Sequence, residues 1–405
     1  MGRDGEDFAG SGAAIARGGV ISLPGMAALW DALPQARMVG GAVRDMLAGR
    51  PVADVDFAVP LSPQEVTARV RAAGLKAVPT GLAHGTVTVV AGGRGFEVTS
   101  LRRDVETDGR HAVVAFTDDW EMDASRRDFT INAMSATRDG VVFDYFGGRE
   151  DLAAGRVRFV GEAGRRIAED YLRILRFFRF FARYGRGAPD AEAVAAIMAL
   201  REGVRSLSAE RVWSEVKRIL QAEDPRAVVA LMRGTGVLEL VLPGADEARL
   251  AAMVAHGAPV DALLRVAALL RGDAGVFAQR WRLSGAEQAR LEALMAPNEL
   301  APEADDAALR RALAGTPGEI LAGRSWLAQD DRPGWDELRA RIAAVDRPVF
   351  PVQGRDVVAR GVPPGPGVGE VLDEVRRWWL AGGCVADKRA CLARVRAGLD
   401  GDAHA

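Results

Sequence analysis

Lysine is almost missing from this chain. Only Lys76, Lys217 and Lys388 occur among 53 basic residues; the rest are arginine. A GC-rich genome, which favours Arg, Ala and Gly codons, explains that bias as well as nucleic-acid binding does. The net charge of −2 excludes a histone-like blanket of positive charge, so any nucleic-acid site must be a local cluster. Cysteine is scarcer still. Cys384 and Cys391 form no metal motif and read as ordinary thiols of a reducing compartment, with the cytoplasm as the default. No stretch reaches the roughly 18 uninterrupted apolar residues that a membrane helix needs. The start, MGRDGEDFAGSG, has no apolar run behind a basic segment, so no secretory leader is expected. His256 and His404 have no ligand-like neighbours, and no His-Asp hydrolase motif stands in the C-terminal half. Short repeats and low-complexity tracts are absent too. What is present, 405 residues of which 49% are apolar, suffices for two to four domains with cores of their own.

To about residue 150 short β runs alternate with helical stretches. Met38-Val39 leads through Gly40-Gly41 into a helix over Ala42–Leu47, and Val55, Phe57 and Val59 alternate with polar neighbours as a half-buried strand. Ser62-Pro63 predicts an N-cap with proline in the first turn of a helix to about Ala73. Thr86–Val90, Phe96–Leu101, Val113–Phe116 and Val141–Phe146 predict further strands or a closing turn. Beyond residue 150 the period becomes helical. One long helix is expected over Ile167–Tyr184, then others over Ala191–Leu200, Ala209–Leu220 and Pro225–Met232. An Ala/Leu/Arg-rich helical region runs to about 345, where PVFPVQGRDVVARGVPPGPGVGE breaks it before a last helix over Val368–Leu380.

The chemistry starts at Asp54-Val55-Asp56. On a strand, residues i and i+2 share a face, so both carboxylates project together. Side by side they repel unless a cation sits between them; a pair of Mg²⁺ ions is the common solution in phosphoryl chemistry. Taken alone, an Asp-x-Asp is also an ordinary solvated surface pair. The preceding Gly40-Gly41-Ala42-Val43-Arg44-Asp45 raises its meaning, because glycines on entry to a helix let backbone N–H groups approach a phosphate and Arg44 adds a charged donor. Glu97, on the polar side of Phe96-Glu97-Val98-Thr99, is the candidate third carboxylate or the base for a hydroxyl, with a plain surface glutamate as the alternative.

Two arginine-rich segments complete the set. Arg126-Arg127-Asp128 precedes a helix-like start in which Asp128 could be the cap and Asn132 its neighbour on the same face; a structural ion cluster explains the spacing equally well. In EDYLRILRFFR (169–179), Glu169, Arg173 and Arg176 stack along one helix face with Asp170 beside Arg173, above a buried face of Ile174, Leu175, Phe178 and Phe181. A carboxylate accepts and a guanidinium donates. Cytosine and adenine each offer an amino donor beside a ring-nitrogen acceptor, so such a pair suits both and rejects uracil and guanine.

These stretches, GGAVRD (40–45), DVD (54–56), HGT (84–86), RRDFTINAM (126–134), EDYLRILRFFRF (169–180) and ERVWSEVKRIL (210–220), occur in the order found in the class II tRNA nucleotidyltransferases. The chain resembles these CCA-adding enzymes and their relatives, the bacterial poly(A) polymerases, over its first 220 or so residues. The resemblance implies an α+β fold: a polymerase-beta-like nucleotidyltransferase palm, or head, over 1–148, followed by an all-helical neck (149–222), body (223–345) and tail (346–405). It implies Asp54 and Asp56 as Mg²⁺ ligands, with Glu97 a less securely aligned catalytic carboxylate. Gly41, Arg44 and Arg127 match positions that bind the triphosphate and nucleotide. Asp170 and Arg173 match the pair that reads CTP or ATP, followed by Arg176 and Arg179, while Glu210 and Arg211 look structural. GRDVVARGVPPGPGVGEVL resembles, more weakly, a tail segment that meets the tRNA elbow. The stretch Leu101–Phe116, with Asp104, Asp108 and Arg110, looks like an intact flexible loop, which favours addition of all three nucleotides to tRNA. The rival readings are a poly(A) polymerase, a non-catalytic RNA-binding protein and a small-molecule nucleotidyltransferase. Neither a membrane nor a stable protein partner is expected.

Overall fold

A computed structural model describes residues 23–402, apart from 53, 82–84 and 108–111; the side chains of 104–114 and 398–402 are not described either. His84, Asp108, Arg110 and the side chain of Asp104 therefore lie outside the described residues. The chain divides into two compact units, one ending at Pro243 and one beginning at Gly244.

The first unit opens with α1 (Met26–Ala32), β1 (Arg37–Val39), α2 (Gly41–Leu47), β2 (Asp56–Val59) and α3 (Pro63–Ala72). The strands β3 (Lys76–Gly81), β4 (Thr86–Ala91), β5 (Arg94–Ser100), β6 (Arg102–Thr107) and β7 (Ala112–Phe116) follow, then α4 (Trp120–Ser125), β8 (Ser135–Ala136) and β9 (Val142–Phe143). Seven strands make one sheet in the order β3-β4-β5-β2-β1-β8-β9, and β6 and β7 pair separately. Only β2 and β5 run parallel; their register sets Phe57 beside Val98 and Ala58 beside Thr99. By the same register Asp56 stands level with Glu97, on the face opposite Phe57. The antiparallel β1–β2 pair sets Val39 beside Asp56, so the Gly40-Gly41 turn emerges next to that carboxylate.

Burial of the other sheet face explains the strand pattern. Phe57 is fully buried. Its ring meets Trp30 of α1 edge-on at 5.3 Å and Phe96 of β5 at 5.9 Å. α3 packs on β3, β4 and β5, and Ser62 caps it reciprocally with Glu65, a stronger start than proline alone indicates. β3 was not legible in the sequence because Pro79 interrupts it. Its place at the sheet edge tolerates the missing donor, and the register shifts between Val78 and Gly81.

The helical remainder of this unit comprises α5 (Gly148–Ala154), α6 (Ala163–Glu169), α7 (Leu172–Tyr184), α8 (Ala191–Leu200), α9 (Ala209–Leu220), α10 (Arg226–Gly234) and α11 (Val237–Val241). Here the expected long helix over 167–184 is corrected: it is two helices. Asp170 leaves helical geometry at φ −157°, ψ 107°, and its carboxylate accepts the Leu172 N–H at 3.0 Å, so the side chain starts α7 afresh. The helix-like start after Arg127 is also corrected. Phe129 is extended and bridges Phe159, leaving a single 3₁₀ turn at Thr130–Asn132. Phe129 packs on Phe159 at 4.8 Å and on Phe180 of α7 at 5.2 Å, fastening that segment to the helices.

The second unit is helical between Glu247 and Asp402. It holds one apolar cluster around Leu309, Leu321, Trp335 and Leu338 and another around Val357, Val375, Trp379 and Cys391. Cys384 and Cys391 are buried free thiols, and burial raises the pKa of both, away from reactivity. Among the described residues no helix is long and apolar enough to cross a membrane.

Because Phe57 ties α1, β2 and β5 together, Phe57→Ala should destabilise the first unit by about 3–5 kcal/mol, read as a lower urea midpoint.

Candidate active site

A cleft of about 590 Å³ opens on the polar face of the sheet. The first residue of β2 supplies Asp56 and the middle of β5 supplies Glu97, the turn into α2 supplies Gly40, Gly41 and Arg44, and the segment after α4 supplies Arg126, Arg127, Asp128 and Asn132. Asp170, Arg173 and Arg176 line it from the start of α7, and Arg211 from α9. Asp54 stands just outside, in a smaller hollow of about 340 Å³ that shares Asp56 and Glu97 with the cleft. Asp54 and Asp56 are both exposed and Val55 between them is buried, but β2 begins only at Asp56, so the expected strand is shorter and Asp54 lies in the segment leading into it. Burial within the cleft raises the Asp56 carboxyl above its ordinary value; the charges of Glu97 and Asp54 add to this and Arg127 opposes it. An excess of negative charge on a rigid strand suits a cation.

Gly40 has φ +62° and ψ −121°, a backbone that side-chain-bearing residues rarely adopt. A Cβ there would also lie 3.1 Å from the Arg127 guanidinium. The glycine thus allows both the turn and the close approach of Arg127. That arginine is held by the buried Asp123 at 3.2 Å and points Nη1 at the Asn132 carbonyl, 3.4 Å away. Asp123 also pairs with Arg126 at 3.0 Å; nothing in the sequence singled it out, since its role appears only once α4 is folded against this segment.

Behind these residues runs a buried chain of polar contacts. Arg44 donates to Asn132 Oδ1 at 2.5 Å, Asn132 Nδ2 donates to Asp128 at 2.9 Å, and Arg176 Nε donates to Asp128 at 2.6 Å. Burial alone would raise the Asp128 carboxyl; Arg176, Asn132 and the Phe129 N–H outweigh it and hold the carboxyl below its ordinary value. Asp128 does not cap a helix, but it meets Asn132 as the spacing anticipated.

The base-reading candidates are arranged differently from the i, i+3 pair read in the sequence. Asp170 is bound by Arg211, not Arg173, at 2.7 Å. Arg173 donates to Glu169 at 2.6 Å and to the Arg166 carbonyl at 2.8 Å, which orients its guanidinium. Arg211, read as structural, lines the cleft; its pairing with a residue 41 positions away left no local signal. Arg179 points elsewhere. It pairs with buried Glu215 of α9 at 3.0 Å and lines a separate hollow; burial lowers its pKa to about 10 despite Glu215.

The depressed Asp128 carboxyl has a folded-state value below its unfolded 3.8. Its stabilising contribution is therefore complete above that pH and lost as pH falls through the folded value. Asp128→Asn should cost about 2 kcal/mol at neutral pH, and the gap to wild type should shrink below pH 3.8, as measured by urea unfolding at the two pH values.

Residues 36–158 match the Poly A polymerase head domain, and residues 188–249 match a domain described as the probable RNA and SrmB-binding site of polymerase A. A Danio rerio mitochondrial CCA tRNA nucleotidyltransferase 1 is 37% identical over 363 residues, 85% of this chain and 83% of the relative. A Geobacillus stearothermophilus CCA-adding enzyme is 34% identical over 375 residues, 84% and 88% of the two chains. Among solved structures, the Bacillus stearothermophilus CCA-adding enzyme in complex with CTP superposes with a TM-score of 0.72 at 28% identity, covering 93% of this chain and 97% of the other. With this fold and most of its length shared, the chain belongs to the CCA tRNA nucleotidyltransferase family.

Proposed function

We propose that this protein adds C, C and A to the 3′ end of tRNA, using CTP and ATP, without a nucleic-acid template and with release of pyrophosphate. The observation that carries this reading is a single cleft lined by Asp56, Gly40, Gly41, Arg44 and Arg127 on the sheet side and by Asp170, Arg173 and Arg211 on the helical side. Phosphate-binding and base-reading groups thus face the same space.

Asp54 and Asp56 are the residues that would hold Mg²⁺. Among the described residues no three His, Cys, Asp or Glu side chains make a ready cage. Two carboxylates plus substrate phosphates and water are, however, the usual Mg²⁺ environment, and Glu97 level with Asp56 adds negative charge beside them. Bound there, the ions would lower the pKa of the attacking 3′-hydroxyl and neutralise the leaving pyrophosphate. The chain's own groups do the rest. Gly41, Arg44 and Arg127 cradle the triphosphate and set the α-phosphate in line. Glu97, level with Asp56, is the proposed third carboxylate and accepts the hydroxyl proton. Asp170 accepts the amino N–H of cytosine or adenine, Arg173 donates to the adjacent ring nitrogen, and Arg211 orients Asp170. Arg176 acts through Asp128; Arg179, remote from the cleft, is proposed to brace α7 on α9.

We also propose a head (1–148), a neck (149–222), a body (223–345) and a tail (346–405), of which the body and tail hold tRNA through arginine–phosphate contacts. Binding should then weaken steeply with salt. The cytoplasm is the proposed compartment, although the Danio rerio relative is described as mitochondrial.

Labelled CTP and ATP offered to tRNAs ending before CCA, after C and after CC should give additions that stop after A. An open-ended A run would establish a poly(A) polymerase instead. Asp54→Ala and Asp56→Ala should each lower incorporation by ~10³-fold or more, equivalent to about 4 kcal/mol, with tRNA affinity retained. Because its folded value lies above 3.8, Asp56 favours folding at low pH and disfavours it once ionised. Asp56→Asn should accordingly raise the cation-free melting temperature at neutral pH, while MgCl₂ stabilises the wild type and not the variant. Arg211→Ala should admit UTP about tenfold more readily relative to CTP, a loss near 1.4 kcal/mol of discrimination; unchanged selectivity would return Arg211 to a structural role.

A further inference from the structure

On the far side of α2 from Gly40-Gly41 lies a second cavity, of about 560 Å³, that the reaction does not use. It is lined by Leu47 and Arg50 after α2, Arg149 and Leu152 on α5, and Arg183, Tyr184 and Arg186 at the end of α7, among others. Four of its lining residues are arginines and none is an aspartate or glutamate. We propose that this cavity is a second anion site, separate from the catalytic cleft, which takes a short phosphate chain of the polyphosphate or 5′-triphosphate class.

The alternative is that the arginines only cap helix ends, since α2, α5 and α7 all terminate here. Arg50 does donate to the Arg183 carbonyl at 2.8 Å, and Arg186 donates to the Leu152 carbonyl at 3.3 Å and to that of Ala153. A helix C-terminus carries about −0.5 charge, so three of them offset about −1.5, well short of four guanidiniums. Arg183 approaches Asp45 only at 3.7 Å, and that carboxylate is already engaged by Arg44 and by the Tyr184 hydroxyl. The side chain of Arg149 has no carboxylate partner among the described residues. Neutral carbonyls and a ring hold the guanidiniums in place without cancelling them: Arg50 lies 5.2 Å over the Tyr184 ring. Four guanidiniums around a concave space, two of them oriented by carbonyls and one only weakly shared with a carboxylate, match the geometry of several phosphate oxygens. The volume suits a few phosphates, whereas an RNA duplex is too wide to enter.

The test is calorimetric titration of inorganic tripolyphosphate without divalent cation. Wild type should bind two equivalents, one in the catalytic cleft and one here. Arg50→Ala/Arg149→Ala should bind one, with incorporation of CTP and ATP preserved, and Arg50→Lys/Arg149→Lys should retain both. Tripolyphosphate should also protect Arg50 and Arg149 from phenylglyoxal in the wild type, which keeps the test decisive if the alanine pair does not fold. A single equivalent in wild type, two in the alanine pair, or no protection overturns the proposal. So does a tenfold loss of tRNA affinity with a flatter salt dependence in the alanine pair at unchanged tripolyphosphate stoichiometry, which would make the surface an RNA contact.

Discussion

The buried carboxylate of Asp128 is the contact on which the cleft depends. It accepts from Arg176 on α7, from Asn132 in its own turn and from the Phe129 N–H, and through Asn132 it reaches Arg44 on α2. Three segments far apart in the chain are locked by one ionised group. A carboxylate this buried is tolerable only because every lone pair has a donor. The arrangement therefore has little slack: Arg44 and α7 keep their relative placement, or the charge is left unpaired.

The sheet supplies the second constraint. Parallel pairing of β2 with β5 and antiparallel pairing of β1 with β2 put Asp56 level with Glu97 and next to the glycine turn that follows Val39. The opposite face buries Phe57, Phe96 and Trp30. A one-residue slip would exchange the two faces, burying the carboxylates and exposing the rings. Hydrophobic burial on one face thus enforces the placement of the carboxylates on the other.

Much of this was legible because it is local. Gly40-Gly41 opens a helix, Phe57 and Val59 lie on a strand with Asp56 at its start, and α8 and α9 begin and end where their composition says they should. Errors arose where tertiary contacts overrode local preference. Asp170 breaks a helix that periodicity would continue, Phe129 takes a β-bridge in place of a helical start, and Pro79 hides an edge strand.

The sequence by itself determined the family: an Asp-x-Asp, a glycine-arginine turn, an acid followed by arginines, and an order of segments shared with its relatives. These are properties of residue type and short spacing. Only the tertiary structure decided the partnerships. It gave Asp170 to Arg211 and Arg179 to Glu215, and it gathered four arginines at the far end of α2. An ion pair is chosen by which charged groups the fold brings within a few ångströms, and for residues tens of positions apart that distance is set by packing, which short-range pattern does not encode.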